Sequence, residues 1–314
     1  MKFVQPKKIK HTKGYLIMES DDNNAGDYSH WYPLFKLYNK RCSQFIDIKN
    51  VRKIRGCLNI NSGTLGSENK ITIDNLVEMY NDLFDVHVHN RYHIGIGKIK
   101  LSQIANIGDT KLYLESVNNN GFNHLVTYNY YTYKLFNTTD EEVVNIVSYN
   151  SNENSITISM PLTKCFDVGS YFSITDNSRK DLIGECKNDL LNLGINAKHY
   201  TFTYHSGSEY YFNQDAIDYA HSIFLTSRGR YGNTNDISNI EWENLNSMAI
   251  RSSTTKKQID EQLDLTYKNN LILITFGHGE MDNAIISSMN YLIHGALKRG
   301  IKIITRQEAF ELFG

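Results

Sequence analysis

The sequence predicts an α/β fold whose parallel sheet is interrupted by a small antiparallel β domain. Strand-like and helix-like segments alternate in the first and last parts of the chain, which is typical of a parallel sheet with crossover helices. The middle part has almost no helical periodicity, and its short alternating segments are separated by turns rich in Asn, Gly and Ser. We therefore predict one α/β unit formed by residues 1–96 and 178–314, with residues 97–177 inserted as a β-rich domain.

Length, charge and hydropathy narrow the class of protein. A chain of 314 residues can bury a large core, in one large domain or in two smaller ones. The formal net charge of −1 gives no support for electrostatic binding of nucleic acid, and no apolar run is long enough to cross a membrane. Residues 1–13 include basic residues but no apolar segment, so we expect no secretory signal. The four cysteines are far apart and are expected to be free thiols.

The α/β elements before the insert can be placed from apolar spacing and from capping residues. A mostly apolar strand at residues 14–19 is followed by a helix that begins near Tyr32. A second strand spans residues 56–61, and a helix spans residues 72–84, with Thr72 or Asp74 as its N-cap. A third strand begins directly after this helix.

Three histidines, His87, His89 and His93, lie within seven residues at the end of the third strand. Val86 and Val88 alternate with the first two, as expected for a strand that ends in a histidine-bearing turn. His89 and His93 are four residues apart, so their imidazoles can meet at one point if the turn is helical. Neutral imidazole is a common ligand for zinc and related ions. The spacing therefore predicts part of a metal site.

An acidic pair, Asp21 and Asp22, follows the first strand and can complete such a site. Two adjacent carboxylates at the end of a strand are unfavourable unless a cation or a proton neutralises them. Because the carboxyl ends of parallel strands share one edge of a sheet, the pair is expected near the histidine turn. The alternative interpretation is that the pair caps the N-terminus of the following helix.

After the insert, the α/β pattern resumes and ends with a buried strand that closes on a histidine. The insert itself contains predicted strands at residues 111–117, 143–147 and 155–160. The later elements are predicted as helix 178–193, strand 197–204, helix 213–224, a long loop, helix 256–265, strand 271–278, helix 282–299 and strand 301–305. His278 therefore lies at the carboxyl end of a parallel strand, where α/β active sites are built, although a purely structural histidine is also compatible.

Taken in order, these motifs resemble the polysaccharide deacetylases, the family with the NodB-homology fold. Residues 19–23 (Glu-Ser-Asp-Asp-Asn) correspond to the family's Thr-Phe-Asp-Asp-Gly, with Asn23 in place of Gly. Residues 89–93 correspond to its His-Ser/Thr-x-x-His, with Asn90 in place of Ser/Thr. Residues 204–207 (Tyr-His-Ser-Gly) correspond to its third motif, without the usual arginine and proline, and residues 273–278 correspond to its Leu-rich strand ending in His. The resemblance implies a distorted (β/α) barrel that carries the β insert.

The resemblance also implies a role for each residue of the motifs. Asp22, His89 and His93 would hold a divalent metal, with zinc as the ion we expect first. Asp21 would be the catalytic base and His278 the catalytic acid. Backbone N–H groups of the third-motif loop would bind the substrate oxygen; the loop residues are Tyr204, His205, Ser206 and Gly207. An arginine from elsewhere in the chain, Arg228 or Arg230, would orient the catalytic base.

The activity implied is removal of acetyl groups from an N-acetylated polysaccharide or cell-wall glycan, with an O-acetyl ester as the alternative substrate. Two other hypotheses remain open. The sequence Asp85-x-His87-x-His89 also fits the metal-binding strand of metal-dependent amidohydrolases. The altered third motif is also compatible with a carbohydrate-binding or structural protein on an inactive deacetylase fold.

The insert resembles the small β modules of phage tail and fibre proteins. The resemblance lies in residues 107–114, which begin Ile-Gly-Asp-Thr, in residues 150–162, which end in Pro-Leu, and in residues 168–172 (Val-Gly-Ser-Tyr-Phe). It implies a virion protein that contacts the host glycan as part of a phage tail and has other tail proteins as partners. We expect it to bind neither nucleic acid nor membrane. A bacterial enzyme that reaches the cell surface by another route is the alternative.

Overall fold

The fold is given by a computed structural model that describes residues 13–45, 53–93, 98–115, 131–202, 214–232, 234–278 and 283–314. In these ranges no helix combines the length and the apolar character needed to span a membrane. The strands are β1 (Tyr15–Asp21), β2 (Gly56–Ile60), β3 (Phe84–Val88), β4 (Lys98–Lys100), β5 (Lys111–Tyr113), β6 (Tyr133–Phe136), β7 (Glu141–Val144), β8 (Ile146–Asn150), β9 (Ser155–Ile158), β10 (Tyr171–Ile174), β11 (His199–Thr201), β12 (Thr226–Tyr231), β13 (Thr234–Asp236), β14 (Leu245–Ala249), β15 (Leu271–His278) and β16 (Lys302–Ile303).

The described helices lie mainly between the strands of the α/β part. They are α1 (Tyr32–Phe45), α2 (Ile73–Asp82), α3 (Asp176–Lys180), α4 (Cys186–Asn192), α5 (Gln214–Ile223), α6 (Lys256–Asn269), α7 (Asn283–Arg299) and α8 (Arg306–Phe313). A π-helical turn, Asp27–Trp31, precedes α1, and a second one, Asp181–Glu185, joins α3 to α4.

Seven parallel strands close into a barrel. They pair in the order β1, β2, β3, β11, β12, β14 and β15, and β15 pairs back onto β1 over its whole length, from Tyr15 opposite Ile272 to Asp21 opposite His278. The short strand β16 adds to β1 in parallel, and β13 lies antiparallel on β15. The predicted distorted (β/α) barrel is therefore confirmed by its strand pairing.

Alternation along each barrel strand separates an apolar outer face from a polar interior. In β1, Leu16 and Met18 belong to the large core between barrel and helices, while Ile17 belongs to a small cluster inside the barrel. The interior-facing positions that follow on the same strand are Glu19 and Asp21, both almost fully buried. Successive side chains of a strand point to opposite faces, so the interior is apolar at one end and charged towards the carboxyl ends of the strands.

Helix boundaries follow the capping residues in the sequence. The Thr72 side chain accepts a hydrogen bond from the backbone N–H of Asn75, which settles the choice between two possible caps for α2. Thr255 and Thr305 form capping boxes at α6 and α8, and Asn270 ends α6 in the left-handed region with φ of 55°.

The described part of the insert forms two antiparallel sheets, in the orders β4–β10–β6–β7 and β5–β9–β8. Its first and last described strands are neighbours, with Lys98 opposite Ser173. The inserted antiparallel β structure is thus present as expected. The bounds 97–177, and independent folding of this segment, stay predictions.

Several local predictions were wrong. The segment between α5 and α6, predicted as a long loop, contains β12, β13 and β14, two of which are barrel strands. The interior-facing side chains there include Arg228 and Ser247, so the apolar alternation on which the prediction depended is missing. The strand predicted at 143–147 is split at Asn145 into β7 and β8, and α8 was not foreseen.

Candidate metal centre

The predicted metal ligands meet at the rim of the barrel formed by the carboxyl ends of β1, β3 and β15. Asp22 directly follows β1, and His89 directly follows β3. His278 is the last residue of β15 and lies opposite Asp21 in the strand register. Parallel strands end at the same edge, so residues far apart in sequence are placed side by side.

The Asp22 carboxylate is the centre of the group. Its Oδ1 lies 3.3 Å from Nε2 of His89 and 3.2 Å from Nε2 of His93, and its Oδ2 lies 3.5 Å from Nε2 of His278. Ligand atoms of Asp22, His89 and His93 all lie within 4.8 Å of one another. The His278 side chain is 43% exposed, so it faces the solvent side of the group. One carboxylate and two imidazoles form a ligand set that zinc accepts.

Two turns with left-handed backbone bring these ligands together. Asp22 and Asn23 have φ of 74° and 41°, and Asn90 has φ of 70°. Asp and Asn tolerate this region better than other non-glycine residues. The turn after β3 is therefore not helical. The spacing of His89 and His93 required a helical turn for their imidazoles to meet, but the two rings converge without one.

Side chains from neighbouring segments hold both turns. Lys70 donates through Nζ to the backbone carbonyl of Asp22 at 2.8 Å. Asn61 donates its backbone N–H to the Asn23 side chain at 2.9 Å and its own amide to the carbonyl of His89. Tyr200 donates its hydroxyl to the Asn90 side chain. Asn23 and Asn90, which stand where the deacetylase motifs have Gly and Ser/Thr, are thus held by hydrogen bonds.

The protonation of His89 tests whether these residues fit a metal ion. Nδ1 of His89 lies 2.8 Å from the carbonyl oxygen of Thr201, which can only accept, so Nδ1 carries the proton. In a neutral imidazole, Nε2 then presents a lone pair towards Oδ1 of Asp22, which is also an acceptor. This Oδ1 is buried and has no hydrogen-bond partner among the described residues. Two acceptors that face each other need a cation or an extra proton between them, so the donor set fits a divalent metal.

The pKa of Asp22 shows the same requirement for positive charge beside this carboxylate, which protonated histidines would supply where no metal ion is bound. Burial raises the pKa of the carboxyl, but the neighbouring His93, His89 and His278 outweigh burial and hold the pKa well below its usual range. The carboxylate is therefore charged over the whole physiological pH range and is available as a ligand.

Asp21, the predicted base, is the last residue of β1, directly before Asp22, and is held by Arg228. Nη2 of Arg228 contacts Oδ1 and Oδ2 of Asp21 at 2.6 and 2.7 Å, and the amide of Asn59 donates to Oδ1 at 2.7 Å. The Arg228 guanidinium is fully buried and lies 4.4 Å from the ring centroid of Phe276. Of the two arginines named from the sequence, the structure places Arg228 on Asp21. Arg230 lies in β12, and its side chain is outside the described residues.

A second carboxylate below Asp21, that of Glu19, joins Arg228 to another buried arginine. Nε of Arg228 lies 2.8 Å from Oε2 of Glu19, and Arg306 reaches both Glu19 oxygens at 2.6 Å through Nη2. Asn59 also donates to Glu19 at 2.9 Å. Two arginines and two carboxylates thus neutralise each other inside the barrel, as buried charges require.

His87 belongs to this interior network. Its Nδ1 lies 3.1 Å from Oδ1 of Asn59, and the ring groups with Glu19 and Cys57, separately from the rim ligands. Burial, assisted by Arg306, lowers the pKa of His87 well below its usual value, so the ring is neutral. Asp85 pairs with Arg55 at 2.9 Å. The three residues of the amidohydrolase hypothesis are therefore at different depths and do not form one ligand group.

Some candidate residues cannot be placed, and others were missed. Tyr204, His205, Ser206 and Gly207 lie outside the described residues. Sequence reasoning missed Glu19, Asn59 and Arg306. Glu19 carried a signal, because it lies two residues before Asp21 and so shares its face of the strand. Arg306 carried none, because its partner is 287 residues away.

Solved structures similar to this chain include members of the family that the motifs resemble. The Xyl-CE4 domain of a multidomain xylanase from the hindgut metagenome of Trinervitermes trinervoides has a TM-score of 0.45 and 10% identity, over 96% of this chain and 91% of that one. A family 4 carbohydrate esterase from Streptomyces lividans has a TM-score of 0.46 and 8% identity, over 93% and 92%. A polysaccharide deacetylase from Bacillus cereus has a TM-score of 0.34 and 7% identity, over 89% and 69%.

No protein-family model matches the sequence, and no curated protein matches it. The strand pairing establishes the barrel, and the residues at its rim define the candidate metal centre.

Proposed function

We propose that this protein is a metal-dependent polysaccharide deacetylase that removes acetyl groups, N-acetyl groups in the first place, from a bacterial cell-surface glycan. The observation that carries the proposal is the group of Asp22, His89 and His93, with the lone pair of His89 Nε2 directed at an unpartnered carboxylate oxygen. The order of the motifs along the chain, which resembles the polysaccharide deacetylases, adds the substrate class.

The proposed chemistry divides between the rim and the residues beside it. A divalent ion, zinc by its ligand preference, would act as a Lewis acid on the acetyl carbonyl. Asp21 is the group that takes the proton from the attacking water, and Arg228 keeps it oriented and charged. His278, on the exposed side of the rim, is the group that protonates the departing amine.

Acetate release tests the activity. We expect purified protein with one equivalent of zinc to release acetate from N-acetylglucosamine oligomers, and chelation to stop the release until metal is restored. Protein that holds stoichiometric metal and releases no acetate from any acetylated glycan would contradict the enzyme proposal.

The His278→Ala variant separates general acid catalysis from metal binding. We expect this variant to keep its metal and to lose more activity on N-acetyl substrates than on p-nitrophenyl acetate. An amine must be protonated before it departs, whereas a phenolate departs without a proton. Equal losses on the amide and on the ester would remove His278 from the proposed role.

A carbohydrate-binding protein without turnover is the second candidate. It is favoured by the third motif, which lacks the proline and arginine of the family, and by half-buried aromatic and lysine side chains of the insert, such as Tyr171 and Lys98. This candidate predicts glycan binding that is unchanged when the metal is removed. The deacetylase proposal predicts that metal removal stops acetate release, so the two measurements distinguish the candidates.

The proposed location is a phage tail, in contact with other tail proteins, and it depends on the resemblance of the insert to tail and fibre modules. Antibody raised against the protein should label the tails of purified particles in electron micrographs. Absence of the protein from purified particles, together with its presence in host fractions, would favour the alternative of a bacterial enzyme that is exported by another route.

A further inference from the structure

A cavity of about 400 Å³ lies where the inserted sheet meets α3 and α5. The insert contributes residues of β4, β6 and β10, and the α/β part contributes residues of the two helices. Most of the lining side chains are cationic or aromatic, and those used below are Lys98, Lys134, Phe136, Arg179, Lys180 and Tyr219. None of them belongs to the rim group or to the interior network of the barrel.

Strand register places two lysines on either side of one serine at the floor of this cavity. Ser173 of β10 lies opposite Lys98 of β4 on one side and opposite Lys134 of β6 on the other. Residues opposite each other on neighbouring strands share a face, so both ammonium groups rise from the same surface. The two lysines are one strand apart on this face, so their like charges repel each other across Ser173, and an anion between them relieves the repulsion.

Arg179 closes the cavity from the helix side and has unused hydrogen-bonding capacity. The residue is only 4% exposed although it lines the cavity. Its Nη1 donates to Asp176 at 2.7 Å, and its Nε has no hydrogen-bond partner in the described part of the chain. A buried guanidinium with an unsatisfied donor is unfavourable on its own and is stabilised by an anionic ligand.

The charges that line the cavity do not cancel. Asp176 pairs with Arg179, and Glu141 pairs with Lys134 at 3.1 Å. Within the described ranges, no carboxylate pairs with Lys98 or Lys180, whose ammonium groups instead lie 4.9 Å and 6.0 Å from the ring centroids of Tyr171 and Tyr219. The cavity therefore presents a net positive surface.

Aromatic rings border the same surface. Phe136 and Tyr171 lie opposite each other on β6 and β10, on the face that carries Lys98 and Lys134, and their rings stack with centroids 5.6 Å apart. A flat aromatic surface beside cations suits a ligand with both an apolar face and a negative group. A sugar ring that carries a carboxylate or a phosphodiester has this combination.

The cavity is linked to the metal-binding turn through the helical segment that contains Arg179. The backbone N–H of Arg91 donates to the carbonyl of Leu182 at 2.6 Å. The ring of Tyr92 lies 6.1 Å from that of Tyr131, two residues before β6. A polymer that occupies the cavity is thus bound next to the elements that carry His89 and His93.

We propose that this cavity is a subsite for an anionic polysaccharide, in which a carboxylate or phosphodiester group lies between Lys98, Lys134 and Arg179 while a sugar ring lies on Tyr171 and Phe136. The inference deepens the proposed function, because it takes the polysaccharide as ligand and adds the negative charge. It does not depend on turnover, since the residues involved are separate from the rim.

Binding of defined polymers to the full-length chain tests the subsite. The probes are polygalacturonate, which offers carboxylates, a poly(glycerol phosphate) chain, which offers phosphodiesters, and neutral dextran. The variant is Lys98→Gln with Lys134→Gln, and the matched control is Lys257→Gln with Lys268→Gln, which removes the same charge from exposed positions of α6. Calorimetry at two salt concentrations gives the affinities without any need for acetate release.

We expect wild type and control to bind at least one anionic polymer, and the Lys98/Lys134 variant to bind it about tenfold or more weakly, with a reduced salt dependence. The polymer that binds identifies the source of the charge. Equal affinities of variant and control, or no more binding of either polyanion than of dextran, would overturn the proposal. A protein that binds the polyanion but releases no acetate from any acetylated glycan would retain the subsite and refute the enzyme proposal. A protein that releases acetate but binds neither polyanion would refute the subsite alone.

Discussion

The rim of the barrel and its interior use the same kinds of side chain in opposite ways. At the rim, Asp22 is surrounded by three imidazoles, and its Oδ1 lacks a hydrogen-bond partner among the described residues. In the interior, Glu19 accepts hydrogen bonds or ion pairs from Arg306, Arg228 and Asn59. The Asp22 carboxylate therefore has an oxygen without a hydrogen-bond partner among the described residues, whereas both oxygens of Glu19 are paired.

The difference shows where a buried charge serves binding and where it serves structure. A carboxylate whose two oxygens are both paired, such as that of Glu19, is held in place and leaves no position for a ligand. An incomplete group of acceptors is stable only when a cation or proton is added. Asp21 lies between the two regions, since Arg228 holds it from the interior while it adjoins the rim.

The largest effect on metal binding is expected when a rim histidine is replaced. An interior histidine of the same segment serves as the control. We expect His93→Ala to abolish stoichiometric zinc binding and acetate release together, because two remaining ligands do not hold the ion against water. His87→Ala is the control within the same strand and turn, and it should retain bound zinc. Metal content of the purified proteins measures both variants. Loss of zinc from the His87 variant would restore the amidohydrolase hypothesis.

The next effect is expected at Asp21, where the two regions meet. Asp21→Asn should retain zinc but lower kcat by roughly 10²–10⁴-fold, because an amide cannot accept the proton of the attacking water. The variant keeps an oxygen that can accept from Arg228 and Asn59. Metal content and kcat, determined on the same preparation, separate the base role from ligation. A variant that loses its zinc would place Asp21 among the ligands instead.

In the interior, a single substitution should act on folding more than on metal binding. We expect Arg306→Met to lower the free energy of unfolding by roughly 3–5 kcal/mol, because Glu19 is left as a partly unpaired buried charge. The double variant Glu19→Gln with Arg306→Met should regain part of this loss, because the unpaired charge is removed. Chemical denaturation of the three proteins gives the comparison, and equal stabilities of the single variant and wild type would contradict the structural role of the network.

The smallest effect is expected from Asp27, a buried acid that differs from both groups. Burial, assisted by the charges of Asp22 and Asp21, raises the pKa of Asp27 from 3.8 to about 8, against the effect of its hydrogen bond from Ser20. The folded state thus retains a proton that the unfolded chain loses, so the contribution to stability is full below pH 3.8 and is lost as pH rises through 8.

Asp27→Asn removes this titration and keeps an oxygen that can accept from Ser20. We expect its melting temperature to match that of the wild type near pH 4 and to exceed it by a few degrees at pH 8. Thermal unfolding at the two pH values measures the difference. If the melting temperatures of variant and wild type differ by the same amount at both pH values, the Asp27 carboxyl does not titrate in this range.

The sequence by itself determined the parts of the fold and site that depend on local pattern. The alternation of strands and helices predicted a parallel sheet, and the resemblance of the motifs to the polysaccharide deacetylases implied that this sheet closes into a barrel. Strand β15 was predicted with the bounds that the structure shows. Asp22 and His89 could be named because each follows directly on a recognisable strand, and His93 could be named because it lies four residues after His89. Parallel strands of one barrel end at one rim, so residues that end such strands must be neighbours.

Only the tertiary structure decided what fills the barrel and how the rim is completed. Arg228 and Asp21 are 207 residues apart, and no local pattern indicates that this arginine lies on that carboxylate. The same holds for Arg306 and for the separation of His87 from His89. β12 and β14 were missed because their interior positions carry polar side chains, which remove the apolar alternation of a buried strand. A buried charge is stabilised by partners from distant segments, and those partners are fixed only when the barrel closes.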